Sequence, residues 1–135
     1  MSAERPLPVI TDQNRGYWEA AARQELVMPH CSSCQKVFFP IAPVCPFCFA
    51  ADPGWRKVSG RGKVSSFVIY RQAFFAFFKE RLPYAVVQVE LEEGPRLNAN
   101  LFDMAPADIR IGMPVEVTFE KVNEEITLPQ FRPVR

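Results

Sequence analysis

The sequence is short of the residues on which most enzymes depend. Its 135 residues include one histidine, and they contain no GxSxG motif, no glycine-rich phosphate loop and no HExxH motif. Ser65 and Ser66 have no base beside them that would make a nucleophile. The carboxylates at positions 90, 92 and 93 fall on a strand end and a turn, where solvation accounts for them. We therefore predict no independent catalytic site.

Long apolar segments and strong net charge are also missing. No apolar run approaches the roughly 18 residues of a membrane-spanning helix, and the N-terminus has neither region of a secretory signal. The net charge is +1 and 48% of residues are hydrophobic, which excludes a disordered chain. Thirteen prolines against six glycines favour short strands and stiff loops. We predict a soluble, cytoplasmic protein with no membrane contact.

The small net charge hides two oppositely charged regions. Seven basic residues and one acidic residue lie between Arg56 and Arg81, whereas nine acidic and three basic residues lie between Glu90 and Glu125. Two solvated faces are one explanation. The other is a local positive field for an anionic ligand or partner.

The chain's four cysteines form two CxxC pairs, Cys31 with Cys34 and Cys45 with Cys48, separated by ten residues. Four thiolates from two tight turns suit a structural, tetrahedral Zn²⁺ site, which leaves no position for a catalytic water. In a reducing compartment metal binding is favoured over two disulfides. Iron in the same cage remains an alternative. His30 precedes the first ligand, but four thiolates already complete the site.

Hydrophobic periodicity predicts one helix and then strands. Residues 1–10 suggest an arm, and residues 11–26 suggest a helix capped by Thr11 or Asp12. The helix carries Tyr17 and Trp18, which are either buried within the chain or docked on a partner. Five strand-like segments follow Val58, with a short helical turn at residues 104–113. This pattern suits a small barrel of the oligonucleotide/oligosaccharide-binding (OB) type.

The loop after the first barrel strand, QAFFAFFKERLP, is rich in phenylalanine. Its helical spacing is consistent with a small helix packed on the barrel mouth. The alternative is an apolar wall for an acyl or pantetheine group, or a patch buried under a partner. Nearby basic residues would match the phosphates of coenzyme A. The candidate contacts are Phe74, Phe75, Phe77, Phe78, Lys79, Arg81, Arg61, Lys63 and Arg71.

Several segments together resemble a bacterial and archaeal acyl-CoA-associated family that joins a rubredoxin-like zinc ribbon to an OB-fold barrel. The segments are NRGYWEAAARQELVMPHC, the cysteine ribbon, SGRG, EGPR, DIRIGMPVEV and the closing FRP, within about residues 13–133. The resemblance implies a mainly β fold with an N-terminal helix, a zinc ribbon and a five-stranded barrel. Its predicted parts are residues 1–25, 26–54 and 55–135.

The resemblance also implies a function. Family members resemble non-catalytic partners of thiolase-superfamily enzymes, including thiolases, condensing enzymes and aldolases that shorten steroid side chains. The expected cofactor is Zn²⁺, and the expected partners are such an enzyme and acyl-CoA. The sequence departs from the family at Gln35 and Phe49, where knuckles often carry glycine to permit positive φ.

Two other functions remain open. Aromatic and basic residues on an OB-fold suit single-stranded nucleic acid, although residues 61–135 carry equal numbers of acidic and basic residues, without the usual basic excess. We therefore expect no nucleic-acid partner. A rubredoxin-type electron carrier is the third reading, and it would be coloured and reducible.

Overall fold

The computed structural model describes residues 6–134, so the first five positions of the predicted arm and Arg135 lie outside the described residues. The N-terminal part contains helix α1 and the strands of a small sheet: α1 (Arg15–Ala22), β1 (Val27–His30) and β2 (Gly54–Lys57). The C-terminal part contains five strands: β3 (Arg61–Tyr70), β4 (Tyr84–Leu91), β5 (Arg96–Asn100), β6 (Pro114–Lys121) and β7 (Thr127–Pro133). Two short 3-10 helices lie between them, at Ala76–Arg81 and Pro106–Asp108. No helix in residues 6–134 is both long enough and apolar enough to cross a bilayer.

The five C-terminal strands form one antiparallel sheet in the order β5-β4-β3-β6-β7. The outer strands β5 and β7 contact each other across the remaining seam, so the sheet is a nearly closed barrel. Residues 6–134 are mainly β, with one short α-helix, a ribbon region and a five-stranded barrel. The predicted fold class is confirmed.

Strand β3 belongs to both halves of the barrel. Most of its length pairs with β4, whereas only residues 61–63 pair with β6. A bulge at Ser65 shifts the register with β4, and the Ser65 hydroxyl donates to the carbonyl of Gln88 at 3.0 Å. A bulge bends a strand and increases its twist. Here it allows one strand to turn from one half of the barrel to the other.

A single hydrophobic core joins the helix, the small sheet and the barrel. Helix α1 contributes Tyr17 and Ala20, β1 contributes Met28, and the barrel contributes Val64 and Phe131. A separate small cluster consists of Cys31, Phe38 and Cys45. The helix and β1 are therefore anchored by the barrel, whereas the cysteine end of the ribbon has few apolar contacts of its own.

The small sheet connects the ribbon to the barrel. Strand β1 pairs with β2 from Val27 opposite Lys57 to His30 opposite Gly54. The N–H of Val58 extends the pairing by donating to the carbonyl of Leu26 at 2.9 Å. Strand β2 thus crosses the predicted boundary between residues 54 and 55. The division into parts at that position stays a prediction.

Helix α1 begins later than the sequence suggested. Its N-cap is Asn14, and neither Thr11 nor Asp12 caps it. Thr11 and Asn14 instead bond each other: the N–H of Thr11 donates to Asn14 Oδ1 at 2.7 Å, and the N–H of Asn14 donates to the Thr11 hydroxyl at 3.3 Å. The Thr11 hydroxyl therefore closes a turn before the helix and does not cap it. The helix ends before Gln24, which adopts φ 62.

The SGRG segment contains a glycine that the barrel requires. Gly60 has φ +78, and a Cβ at this position would overlap the side chain of Val117. The same two residues are joined by a hydrogen bond from the Val117 N–H to the Gly60 carbonyl, at 2.8 Å. Strand β6 can approach this closely only because residue 60 lacks a side chain.

We expect Gly60→Ala to lower the free energy of unfolding by about 1–3 kcal/mol, because it adds backbone strain and a clash. Urea unfolding measures the change. Gly54→Ala is the control, because the nearest atom to its Cβ is 4.0 Å away and its φ lies outside the positive region. It should change stability by less than about 0.5 kcal/mol. Equal effects of the two substitutions would contradict this account of Gly60.

Candidate metal centre and aromatic loop

The two CxxC segments form knuckles with the same backbone geometry. The N–H of Gln35 donates to the carbonyl of Cys31 at 2.8 Å, and the N–H of Phe49 donates to the carbonyl of Cys45 at 2.9 Å. The N–H of each first cysteine donates to the carbonyl five residues later, at 2.9 Å in both knuckles. Gln35 and Phe49 both have φ 65. The knuckle conformation therefore forms without the glycines that the resemblance led us to expect.

The four cysteine sulfurs converge on one point. The Sγ atoms of Cys31 and Cys48 are 3.5 Å apart, and those of Cys34 and Cys45 are 3.7 Å apart. All four lie within 4.8 Å of one another. A tetrahedral zinc with bonds of about 2.3 Å requires sulfur separations of about 3.8 Å, whereas a disulfide requires about 2 Å. The set fits a metal ion and excludes disulfides in this arrangement.

Backbone N–H groups favour the thiolate form of the first cysteine in each knuckle. The N–H of Cys34, 3.5 Å from the Sγ of Cys31, is the main cause that lowers the pKa of Cys31 to about 6. Burial acts to raise the pKa of Cys45, but N–H groups of its own knuckle outweigh burial and lower it. Thiolate is the form that binds metal, so part of the ligand set is prepared by the backbone.

His30 lies outside the ligand cluster, which among the described residues consists of the four sulfurs alone. Its Nε2 is buried and has no hydrogen-bond partner in residues 6–134.

When bound, zinc supplies a cross-link between the two knuckles. All four positions belong to cysteine, so the role that this site supports is structural.

Residues 71–83, which we call the aromatic loop, connect β3 to β4. Rings from the loop and from the two strand ends contact one another in a row. Tyr70 and Tyr84, at the two strand ends that flank the loop, stack with their centroids 5.1 Å apart. Phe74 meets Tyr70 edge-on at 6.1 Å, and Phe78 stacks on Tyr84 at 4.7 Å. The loop is thus held by rings from both strands.

The row continues to a basic side chain. Phe77 meets Phe78 edge-on at 5.1 Å, and the guanidinium of Arg81 lies 4.7 Å from the Phe77 centroid and 5.4 Å from that of Phe102. Phe77 and Phe78 are half-buried, whereas Phe74 is 69% exposed. Phe75 is also exposed, at 56%. The structure therefore brings the four predicted phenylalanines together, two packed and two facing solvent.

Sequence reasoning missed three members of this region. Tyr70 ends β3 and Tyr84 begins β4. Their positions at the two strand ends that flank the loop could have indicated that they meet there. Phe102 carried no signal, because only the placement of the chain after β5 brings it to Arg81. We define the aromatic row as Tyr70, Phe74, Phe77, Phe78 and Tyr84.

Three of the predicted basic residues lie with the loop. Arg71, Lys79 and Arg81 are exposed. Within residues 6–134, neither Arg71 nor Lys79 has a carboxylate at ion-pair distance. These side chains are available to a negatively charged group that approaches the loop.

The other two predicted basic residues lie elsewhere, which corrects their grouping with the phenylalanines. Arg61 and Lys63 begin β3, whereas the loop follows its end, up to about 30 Å away for an extended strand. Arg61 pairs with Glu92 at 3.1 Å and Lys63 with Glu90 at 3.6 Å. The hydrogen bond from Arg61 is the main cause that lowers the pKa of Glu92. The length of β3 therefore separates Arg61 and Lys63 from the basic residues of the aromatic loop, although all of them belong to one basic stretch of the sequence.

Tyr17 is a core residue, which favours burial within the chain over partner docking, the two roles left open for it above. Its ring is buried between Trp18, edge-on at 4.9 Å, and Phe39 at 6.1 Å, and burial raises its pKa to about 12. Trp18 is only half-buried and lines a groove of about 440 Å³ with Glu124 and Glu125. Docking through Trp18 stays a prediction.

The fold and the cysteine cluster define a class: a small protein that joins a rubredoxin-like zinc ribbon to an OB-fold barrel. Family models agree with this description. The model described as ChsH2, rubredoxin-like zinc ribbon domain, matches residues 18–54, and the model described as ChsH2, C-terminal OB-fold domain, matches residues 55–120. The predicted zinc ribbon is confirmed, with four cysteines positioned to bind a metal ion.

The chain belongs to the ChsH2/DUF35 family. It is 36% identical to a DUF35 domain-containing scaffold protein of Methanothermobacter thermautotrophicus, over 87% of this chain and 88% of that protein. It is 39% identical to a probable enoyl-CoA hydratase alpha subunit of Thermomonospora curvata over 97% of this chain, but it spans only 40% of that protein's length. The structure titled Ltp2-ChsH2(DUF35) aldolase matches with a TM-score of 0.85 and 38% identity, covering 94% of this chain and 98% of that chain.

We expect Cys34→Ser or Cys48→Ser to disorder the ribbon and to lower the zinc content well below one ion per chain, because the small core there cannot replace a lost ligand. The loss of stability should exceed about 4 kcal/mol, as for other lost metal sites. Elemental analysis and thermal unfolding measure both effects. Ser33→Ala is the control, because Ser33 lies exposed between two ligands. A Cys34→Ser protein with full zinc content would contradict the four-sulfur site.

Proposed function

We propose that this chain is a non-catalytic accessory subunit of a thiolase-superfamily enzyme that acts on acyl-CoA thioesters, either a thiolase or a retro-aldolase. The observation that carries the proposal is its similarity, along nearly the whole chain, to the chain in the structure titled Ltp2-ChsH2(DUF35) aldolase. The names of the DUF35 scaffold relatives support a supporting role. The partner supplies the nucleophile and the acid–base groups.

The aromatic loop is the surface that we assign to acyl-CoA. Phe74 and Phe75 expose apolar rings, and the same loop carries Arg71 and Lys79, whose positive charges have no carboxylate at ion-pair distance within residues 6–134. An acyl-CoA thioester has the same two features, an apolar acyl and pantetheine part and an anionic part with a pyrophosphate and a 3′-phosphate. Exposed rings can cover the first and the basic side chains can pair with the second.

The groove beside the aromatic loop offers little enclosure for such a ligand. A groove beside Tyr70, lined also by Val68 and Gln88, has a volume of about 220 Å³. Pockets that enclose small molecules usually measure roughly 300–1,000 Å³. We infer that the loop forms one wall of a site that the enzyme subunit completes, so that this chain contributes to acyl-CoA binding or channelling within the complex.

The assembly is tested by a tagged pull-down from the native organism followed by mass spectrometry. We expect a thiolase-fold enzyme in near-equal amount, and Cys34→Ser should reduce both its recovery and its activity because the ribbon is lost. A wild-type chain that recovers no thiolase-fold enzyme would overturn the proposed function. Normal assembly and activity with a metal-free variant would show that the ribbon is not needed.

The acyl-CoA wall is tested by calorimetric titration of a CoA ester into the assembled complex. We expect Lys79→Ala to weaken binding of the CoA ester by roughly 3- to 30-fold, about 0.7–2 kcal/mol, because it removes one charge-assisted contact. The control is Lys63→Ala, since Lys63 is a paired lysine at the far end of β3. Equal affinity for both variants, or no binding to the chain either alone or in the complex, would contradict the assignment.

A second candidate is binding of single-stranded nucleic acid, which the exposed rings Phe74 and Phe75 beside the basic residues of the loop favour. The balance of acidic and basic residues in the barrel half opposes it. Titration of a single-stranded oligonucleotide at several salt concentrations distinguishes the candidates. Binding that weakens steeply with salt would favour nucleic acid.

A further inference from the structure

The two metal knuckles share a backbone but differ in every exposed side chain. The first knuckle carries Ser33 and Gln35 where the second carries Phe47 and Phe49, in otherwise equivalent positions. Since both have the same hydrogen bonds and the same φ of 65 after the second cysteine, the knuckle fold does not require apolar side chains there. The first knuckle is therefore an internal reference for what the metal site alone needs.

The second knuckle presents an apolar surface to solvent. Val44, Phe47 and Phe49, which we call the knuckle patch, are exposed by 40%, 55% and 77%. Elsewhere in the ribbon an aromatic ring is buried: Phe38 is 3% exposed. Large apolar side chains exposed within one short segment are typical of interaction sites.

Phe49 combines two unfavourable features. It is a bulky residue at positive φ, which only glycine adopts without strain, and its ring is exposed. Gln35 has the same φ, but its side chain makes a hydrogen bond that offsets part of the strain, because Nε2 donates to the carbonyl of Ser32 at 2.6 Å. Within residues 6–134 the Phe49 ring has no stacking or cation–π contact. Glycine at position 49 would therefore remove the backbone strain without the loss of such a contact.

The edge of the knuckle patch is positively charged. The Lys36 Nζ lies 4.5 Å from the centroid of the Phe47 ring. Within residues 6–134 no carboxylate lies at ion-pair distance from Lys36. The hydrogen bonds of the knuckle fix its backbone, so that little backbone entropy is lost when a partner covers the patch. A complementary surface is an apolar pocket with a carboxylate at its rim.

We propose that the knuckle patch docks into such an acid-rimmed apolar pocket on the thiolase-fold enzyme subunit; this inference rests on the proposed function. A second copy of the chain is the competing occupant, because the groove beside Trp18 is bordered by Glu124 and Glu125. A knuckle inserted into a different surface of an identical chain makes a head-to-tail contact, which builds rings or open filaments. Docking on the enzyme is complete with one contact.

The decisive variant is Phe49→Gly. It removes the ring and the strain together, so the thermal midpoint should stay equal or rise, while the Kd for the purified enzyme subunit that co-purifies with the wild-type chain should increase at least tenfold. The matched control is Gln35→Gly, which makes the same backbone change in the other knuckle and should leave that Kd unchanged. Zinc content should remain one ion per chain in both.

Two further substitutions separate the apolar and the charged parts. Phe47→Ser places the first knuckle's residue in the second and should also weaken binding at least tenfold. Lys36→Glu should raise the Kd and should lessen its increase with salt, because it replaces attraction to the carboxylate by repulsion. Asparagine tolerates positive φ better than phenylalanine does. Phe49→Asn is therefore the substitute variant if Phe49→Gly loses zinc.

Each outcome has one meaning. A Kd unchanged by Phe49→Gly and Phe47→Ser, with the complex formed, overturns the knuckle inference and leaves the proposed function intact. A wild-type chain that binds no thiolase-fold enzyme overturns both. Light scattering that shows wild-type oligomers, dissociated by Phe49→Gly, overturns docking on the enzyme in favour of a contact between copies.

Discussion

The convergence of four sulfurs within 4.8 Å is the constraint on which the ribbon depends. Four thiolates so close together repel one another unless a cation lies among them, and the apolar cluster around them consists of little more than Cys31, Phe38 and Cys45. A metal ion therefore replaces the core that so few residues cannot build. With the sulfurs joined through a metal, the two knuckles are cross-linked, and the strand pair β1–β2 connects them to the barrel.

The rest of the molecule is held together by a hydrophobic core. Side chains in this core stabilise the fold, and those outside it are available for contacts with other molecules. Tyr17, Met28 and Phe131 join the helix, the small sheet and the barrel into one packed unit. The exposed phenylalanines of residues 6–134 lie in the aromatic loop and on the second knuckle. Both surfaces consist of phenylalanine rings beside basic side chains that have no carboxylate at ion-pair distance within residues 6–134. This distribution supports the proposed role of a subunit that binds a partner and a ligand.

Much of the fold was readable from local patterns. The CxxC spacing predicted the metal ligands, and alternating apolar residues predicted five barrel strands, because a two-residue period survives wherever one face is buried. The helix start was read wrongly, since Thr11 bonds Asn14 and leaves the cap position to it. The function class came from combined segments resembling a family, and no single segment would have carried it.

By itself, the sequence determined which residues bind metal and which segments form strands, because both depend on spacing along the chain. Only the tertiary structure decided which residues share a surface. Arg61 and Lys63 lie in the same charge run as Lys79, but the strand places them apart and glutamates neutralise them. Tyr17 and Phe49 are both aromatic, but one is buried and the other exposed. Burial and pairing are set by neighbours distant in the chain, which local spacing does not encode.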